Sequence, residues 1–187
     1  MTATEVLRAE HEVIRRMLAI LGELAKDALR GELDPAEAEE AIDFFRTFAD
    51  RCHHGKEERE LFPAMEEEGV ARAGGPLGVM LDEHEQGRAA IRAMAEDLVR
   101  VRAGERGAAA DFAASARSYK SLLEVHILKE NEVLFPLAER ILPAVVKERL
   151  IAAFDGIERN EMEPGTHERY HAMIEEMERK RERAGTR

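Results

Sequence analysis

The chain has one cysteine, no tryptophan, two tyrosines and six prolines in 187 residues. The lone thiol, Cys52, excludes an intramolecular disulfide framework and suits a reducing, cytoplasmic setting. No apolar run approaches the roughly 18 residues that a membrane span needs. The first residues, MTATEVLRAEHEV, lack the basic start, apolar block and cleavage site of a secretory leader. Basic residues are in deficit: 28 Lys and Arg against 39 Asp and Glu give a formal net charge of −11. That balance argues against nucleic acid or an anionic membrane as a partner. The one basic run (Arg179, Lys180, Arg181, Arg183) falls at the end of a helical pattern, where it favours the negative end of the helix dipole. Alternation of apolar and polar residues is also missing, so no strands are expected.

What is present is helix. Ala, Glu, Arg and Leu dominate, and apolar residues recur in 4-3-4-3 steps. Leu7, His11, Ile14, Leu18 and Leu21 share a stripe on a first helix from about Thr4 to Leu29. Asp34 and Pro35 supply an N-cap and a first helical residue for a second helix, which runs to about Glu67. The glycines of GVARAGGPLG make a loop. A third helix runs from near Leu77 to about Arg102, and a fourth from about Ala108 to Glu139. Pro143 opens a shorter helix through about Phe154. Pro164 and Gly165 then precede a last helix to about Arg183. Pro63 and Pro136 interrupt helical patterns and should kink or shift the backbone there. Four long helices with short connections predict an all-α, up-down-up-down four-helix bundle over residues 1–140. Residues 141–187 form an additional helical extension that packs on it or caps it.

The chain repeats itself. HHGKEERELFP at 53–63 returns as HILKENEVLFP at 126–136, an offset of 73 (126 − 53). Glu10-His11-Glu12 returns as Glu83-His84-Glu85 at the same offset (84 − 11), and Arg15 returns as Arg88. Two motifs at one offset predict that the bundle is two copies of one helical hairpin. His11, His84 and His126 lie on core-facing stripes, and His53 lies beside one. Glu57 and Glu130 each follow a histidine by four residues, which puts both side chains of each pair roughly on one helix face.

One histidine on an apolar face is usually a satisfied core residue. Four of the seven histidines in duplicated positions, with two buried carboxylates, are a different matter. Each unpaired buried carboxylate would cost on the order of several kcal/mol, and a multivalent cation removes that cost. Four imidazoles and two carboxylates exceed the needs of one zinc and carry too much nitrogen for magnesium or calcium. Two first-row transition ions fit, bridged by both carboxylates, with His11 and His53 on one ion and His84 and His126 on the other. An oxo or hydroxo bridge would leave each ion about five-coordinate, with room for a small molecule. The donor set suits iron best, with manganese or a mixed pair as alternatives.

The pattern H…HxxxE…H…HxxxE, here His11, His53–Glu57, His84 and His126–Glu130, resembles the hemerythrin-like (HHE cation-binding) proteins over about residues 4–140. The resemblance implies a non-haem di-iron centre inside a four-helix bundle. Such a centre binds or reacts with dioxygen, hydrogen peroxide or nitric oxide, or senses oxygen or iron. The oxygen-carrying hemerythrins have a fifth histidine in an HxxxH pair on the third helix, and an Asp on the fourth. This chain has Arg88 and Glu130 there, a departure that favours redox chemistry or sensing over oxygen carriage. Ferritin-type centres repeat ExxH, which occurs here only as Glu168–His171. Peroxide turnover and sensing through an unidentified protein partner both remain open as roles.

Three further histidines are candidates for ligation. His167 and His171 lie four apart on the last helix and could add a ligand if that helix caps the bundle. His54 sits about 100° around the helix from His53 and could ligate or hydrogen-bond to a ligand. The repeat selects His53–Glu57 over His54–Glu58, because Ile127 and Asn131 stand at the places of His54 and Glu58 in the second copy. Packing is the expected role of Cys52 and of Tyr119.

Overall fold

The computed structural model describes residues 1–185, which contain helices and turns and no strand. Residues 186–187 of the expected C-terminal extension lie outside the described residues. Helix α1 is Ala3–Arg30. It starts at a capping box in which the Thr2 hydroxyl accepts from the Glu5 N–H and the Glu5 carboxylate accepts from the Thr2 N–H. It ends at Gly31, whose φ of 74° is left-handed. Helix α2 covers residues 35–67, with Asp34 accepting from the Ala36 N–H at its start. Helix α3 is Pro76–Arg102, and α4 covers residues 108–141. Two more helices follow, α5 (Ala144–Glu161) and α6 (Thr166–Gly185). Helix α5 runs two turns beyond the expected end at Phe154. Its Leu150, Phe154 and Ile157 keep a buried stripe going.

The expected kinks at Pro63 and Pro136 take a specific form. Each proline lies within a continuing helix, just after a π-helical turn, Glu57–Leu61 in one copy and Glu130–Leu134 in the other. The Phe62 N–H donates to the Glu57 carbonyl, and the Phe135 N–H to the Glu130 carbonyl, both five residues back. A proline in an α-helix clashes with the carbonyl four residues before it. The wider π turn relieves that clash, so the helix passes through. Helix α2 carries a further π segment, Phe45–His54, that α4 lacks. π turns concentrate at functional sites, and here they carry His53, His54, Glu57 and Glu130.

The core is split into two apolar layers. One contains Ile14, Leu18, Leu21, Phe44, Phe45, Phe112, Tyr119 and Leu123. The other contains Leu7, Leu61, Phe62, Met65, Leu77, Leu134 and Phe135. Along α1, His11 falls between Leu7 of one layer and Ile14 of the other, and His84 and His126 are sandwiched in the same way. A polar belt thus crosses the middle of the bundle. Helix α5 adds Leu150 and Phe154 to one layer, and α6 adds Tyr170, Ile174 and Met177 to the other. The basic run on α6 reaches α2: Lys180 and Arg181 pair with Glu37 at 3.1 and 2.9 Å. No helix of the described residues is long and apolar enough to cross a membrane.

Candidate metal centre

Seven side chains converge in the belt, and all are buried: His11, His53, His54, Glu57, His84, His126 and Glu130. They form two groups whose ligand-capable atoms lie within 4.8 Å of one another: His11, His53, Glu57 and Glu130, and His54, Glu57, His84 and His126. Each carboxylate faces histidines of both groups. Glu57 places Oε1 3.7 Å from His53 Nε2 and Oε2 3.5 Å from His84 Nε2. Glu130 places Oε2 3.1 Å from His11 Nε2 and Oε1 3.2 Å from His126 Nε2. Both oxygens of both carboxylates, and Nε2 of His11, His53 and His54, have no hydrogen-bond partner. Buried polar atoms are nearly always satisfied. Seven unsatisfied atoms within two adjoining groups fit a site able to hold cations.

The six residues expected from the repeat therefore come together, and His54 joins them as a fifth imidazole. Consecutive helical residues diverge by about 100°, yet His53 and His54 are both buried, as are their counterparts His126 and Ile127. His54 ends the π segment Phe45–His54 and stacks on His84 of α3. His167 and His171 are not in the centre. His167 lies 3.6 Å from Glu158 and against the Phe48 ring, and belongs to a separate group with Glu10 and Glu158. His171 stacks loosely on His167. Helix α6 packs through Tyr170, Ile174 and Met177, which turns its histidines to a shallow cleft beside Glu10.

Behind the centre four of the five imidazoles are hydrogen-bonded at Nδ1, and the fifth, His54, has a carboxylate nearby. His53 and His126 face Glu10 and Glu83 at 2.8 and 2.9 Å. Lys56 and Lys129 pair in turn with those two glutamates. His11 faces Asn131 at 3.0 Å, His84 faces Glu58 at 2.6 Å, and Asp50 lies 3.5 Å from His54. Such partners fix ring orientation and tautomer, leaving Nε2 for a cation. Glu10, Glu83, Lys56 and Lys129 sit at the same 73-residue offset as the histidines, which is the signal by which sequence could have found them.

Burial pushes His53 down to about 4 against the pull of Glu10. Burial, with His54 nearby, pushes His84 down to about 3. Burial also lowers His54. These rings are neutral near pH 7 and keep a free lone pair. For His126, burial is outweighed by Glu130 and Glu83, and its value is raised to about 9. Burial and the facing Glu130 carboxylate hold Glu57 well above the usual range. Glu130 is held well below it, because contact with His126 and His11 outweighs burial.

Cys52 is 1% exposed, and burial pushes its thiol up to about 12. Since the thiolate is the reactive form, native protein at pH 8 is expected to resist iodoacetamide for an hour while denatured protein labels fully. Mass spectrometry showing rapid labelling of the native chain would contradict the burial.

Fold and centre together define a helical-bundle protein with a buried histidine–carboxylate cation site. Residues 2–138 match the hemerythrin HHE cation binding domain, and the chain belongs to that family. It is similar to the uncharacterized protein Rv1995 of Mycobacterium tuberculosis and to the uncharacterized protein Mb2018 of Mycobacterium bovis. Identity is 28% over 145 residues in each case, covering 77% of this chain and 56% of the relative. The chain thus spans about half the length of the curated relatives it matches. No solved structure matches it.

Proposed function

We propose that this is a non-haem di-iron protein that binds or reacts with a small oxidant (dioxygen, hydrogen peroxide or nitric oxide) at a carboxylate-bridged pair of ions. The observation that carries this reading is the pair of four-residue groups that share Glu57, with both carboxylates unpartnered and turned to histidines of both groups. The reading includes the topology: α1–α2 and α3–α4 as two duplicated hairpins running up-down-up-down, with residues 141–187 as an extension packed on them. One side would be held by His11 and His53, the other by His54, His84 and His126, with Glu57 and Glu130 shared. Imidazoles and carboxylates without thiolate suit iron or manganese. A bound iron pair would supply redox electrons and a Lewis-acidic position for a small ligand.

The chain's own residues do the rest. The Nδ1 partners hold His11, His53, His84 and His126 in place, and the apolar layers above and below exclude bulk water. The two sides differ by one imidazole, so the His11/His53 side is the one short of a ligand. The counterpart of His54 there is Ile127 (127 − 54 = 73), fully buried and unable to ligate.

The test is anaerobic loading of metal-free protein with ferrous iron, followed by metal quantification, near-UV spectra, and titration with oxygen, peroxide and nitric oxide. Two irons per chain and new near-UV absorption on oxidation are expected. Uptake of fewer than two ions would overturn the di-iron reading. Peroxide consumption no faster than that of free iron would remove the redox role, and reversible ligand binding in its place would identify a sensor.

A further inference from the structure

Because the halves of the centre come from duplicated sequence, each serves as a control for the other. Glu58 and Asn131 are counterparts (131 − 58 = 73), and each holds Nδ1 of a histidine from the opposite hairpin. On the His84 side the acceptor is a carboxylate, 2.6 Å away; on the His11 side it is a neutral amide. His54 has Asp50 beside it, whereas the counterparts of this pair, Ile127 and Leu123, are apolar. One half therefore has an extra imidazole and two carboxylates that the other lacks.

Both of those carboxylates meet at Arg88. Its Nε donates to Asp50 at 2.8 Å, its Nη2 to Glu58 at 2.6 Å and its Nη1 to Glu85 at 2.6 Å. The counterpart, Arg15, pairs with Glu12 on its own helix and with no other carboxylate among the described residues, and is about twice as exposed, 42% against 23%. The His54 and His84 rings behind Arg88 lie stacked, centroids 3.9 Å apart and 13° from parallel. A guanidinium presents its donors in a rigid plane, so it can hold two carboxylates at a fixed separation, which a lysine ammonium cannot do.

We propose that Arg88 is a positioning residue of the centre: by holding Asp50 and Glu58 on one guanidinium, it fixes the His54 and His84 rings as adjacent ligands. This half then binds its ion first and more tightly than the half of His11 and His53. The inference rests on the two-ion reading above. Without Arg88 the two carboxylates repel, and the rings behind them lose their common orientation.

The experiment is a titration of metal-free wild type, Arg88→Met, Arg88→Lys and Arg15→Met with Co2+ followed by visible absorption, with the number of bound ions measured after desalting. Wild type is expected to bind two ions in two steps. Arg88→Met should weaken the tighter step by about 10- to 100-fold, the range seen when partners behind metal ligands are removed, and leave the weaker step unchanged. Arg88→Lys should fall between, and Arg15→Met should match wild type. Thermal unfolding of the metal-free variants separates lost positioning from lost folding. An unchanged tighter step in Arg88→Met, equal weakening of both steps, or an Arg88→Lys titration identical to wild type would overturn the role of Arg88. A wild type that binds only one ion would instead overturn the two-ion reading, and this inference with it.

Discussion

Glu57→Ala is expected to release both ions, so that desalted protein retains almost no metal. Glu57 is the one residue common to both four-residue groups, and its two oxygens face histidines on opposite sides. Losing it removes a ligand from each ion and leaves Glu130 as the only carboxylate between two cations, whose mutual repulsion is then less compensated. The loss should exceed the roughly 100-fold upper end for residues behind the ligands. His11→Ala strips a ligand from one side only and should spare the ion on the three-imidazole side. Elemental analysis of both variants decides the matter. If Glu57→Ala retains both metals, or if His11→Ala and Glu57→Ala lose metal equally, Glu57 is not the shared ligand.

The repeat made much of this centre legible. Helix stripes place His11, His84 and His126 inward because core-facing spacing is a property of α-helical geometry, and the offset of 73 selects Glu57 and Glu130 as a pair. His54 is harder to read because it lies off the stripe, and its burial depends on the helix that packs beside it, where it stacks on His84. The counterpart of His54 in the second copy is Ile127, which is buried too but carries no ligand signal. The prolines were a partial clue: Pro63 and Pro136 mark where the backbone had to adjust, but not that it would widen and continue. His167 and His171 have ligand chemistry and ligand spacing. Their orientation was set by Tyr170, Ile174 and Met177 on the same helix, which seek the core, and Tyr170 also donates to Asp43 at 2.8 Å. Composition cannot rank such competing faces. The glutamates behind the histidines were visible as letters in the repeat, but a carboxylate next to a core histidine reads as solvated surface until the packing is known.

A double substitution, Glu57→Gln with Glu130→Gln, is expected to abolish metal binding and yet make the metal-free protein more stable than metal-free wild type. In the wild type two fully buried carboxyl groups face each other's histidines without a hydrogen bond. Burial and the proximity of Glu130 force Glu57 toward its protonated form, a cost that the free protein bears at Glu57 and a cation removes, and one that exceeds what the contact of Glu130 with His126 and His11 returns. Glutamine preserves the shape, removes the charge and supplies N–H donors for imidazole lone pairs. Replacing a buried ion pair by well-packed apolar residues of similar volume is often neutral or stabilising by about 1–4 kcal/mol, and the neutral but polar glutamine should gain the lower part of that range. For a chain of this length each kcal/mol raises Tm by roughly 2–4 °C. Metal binding stabilises only the folded wild type, so the expected order of melting temperature is metal-free wild type, then the double variant with or without metal, then loaded wild type. Calorimetry of the four samples at neutral pH gives that order directly. A double variant that melts below metal-free wild type would mean that the carboxylates hold the empty bundle together, and that their placement reflects folding before it reflects a cation.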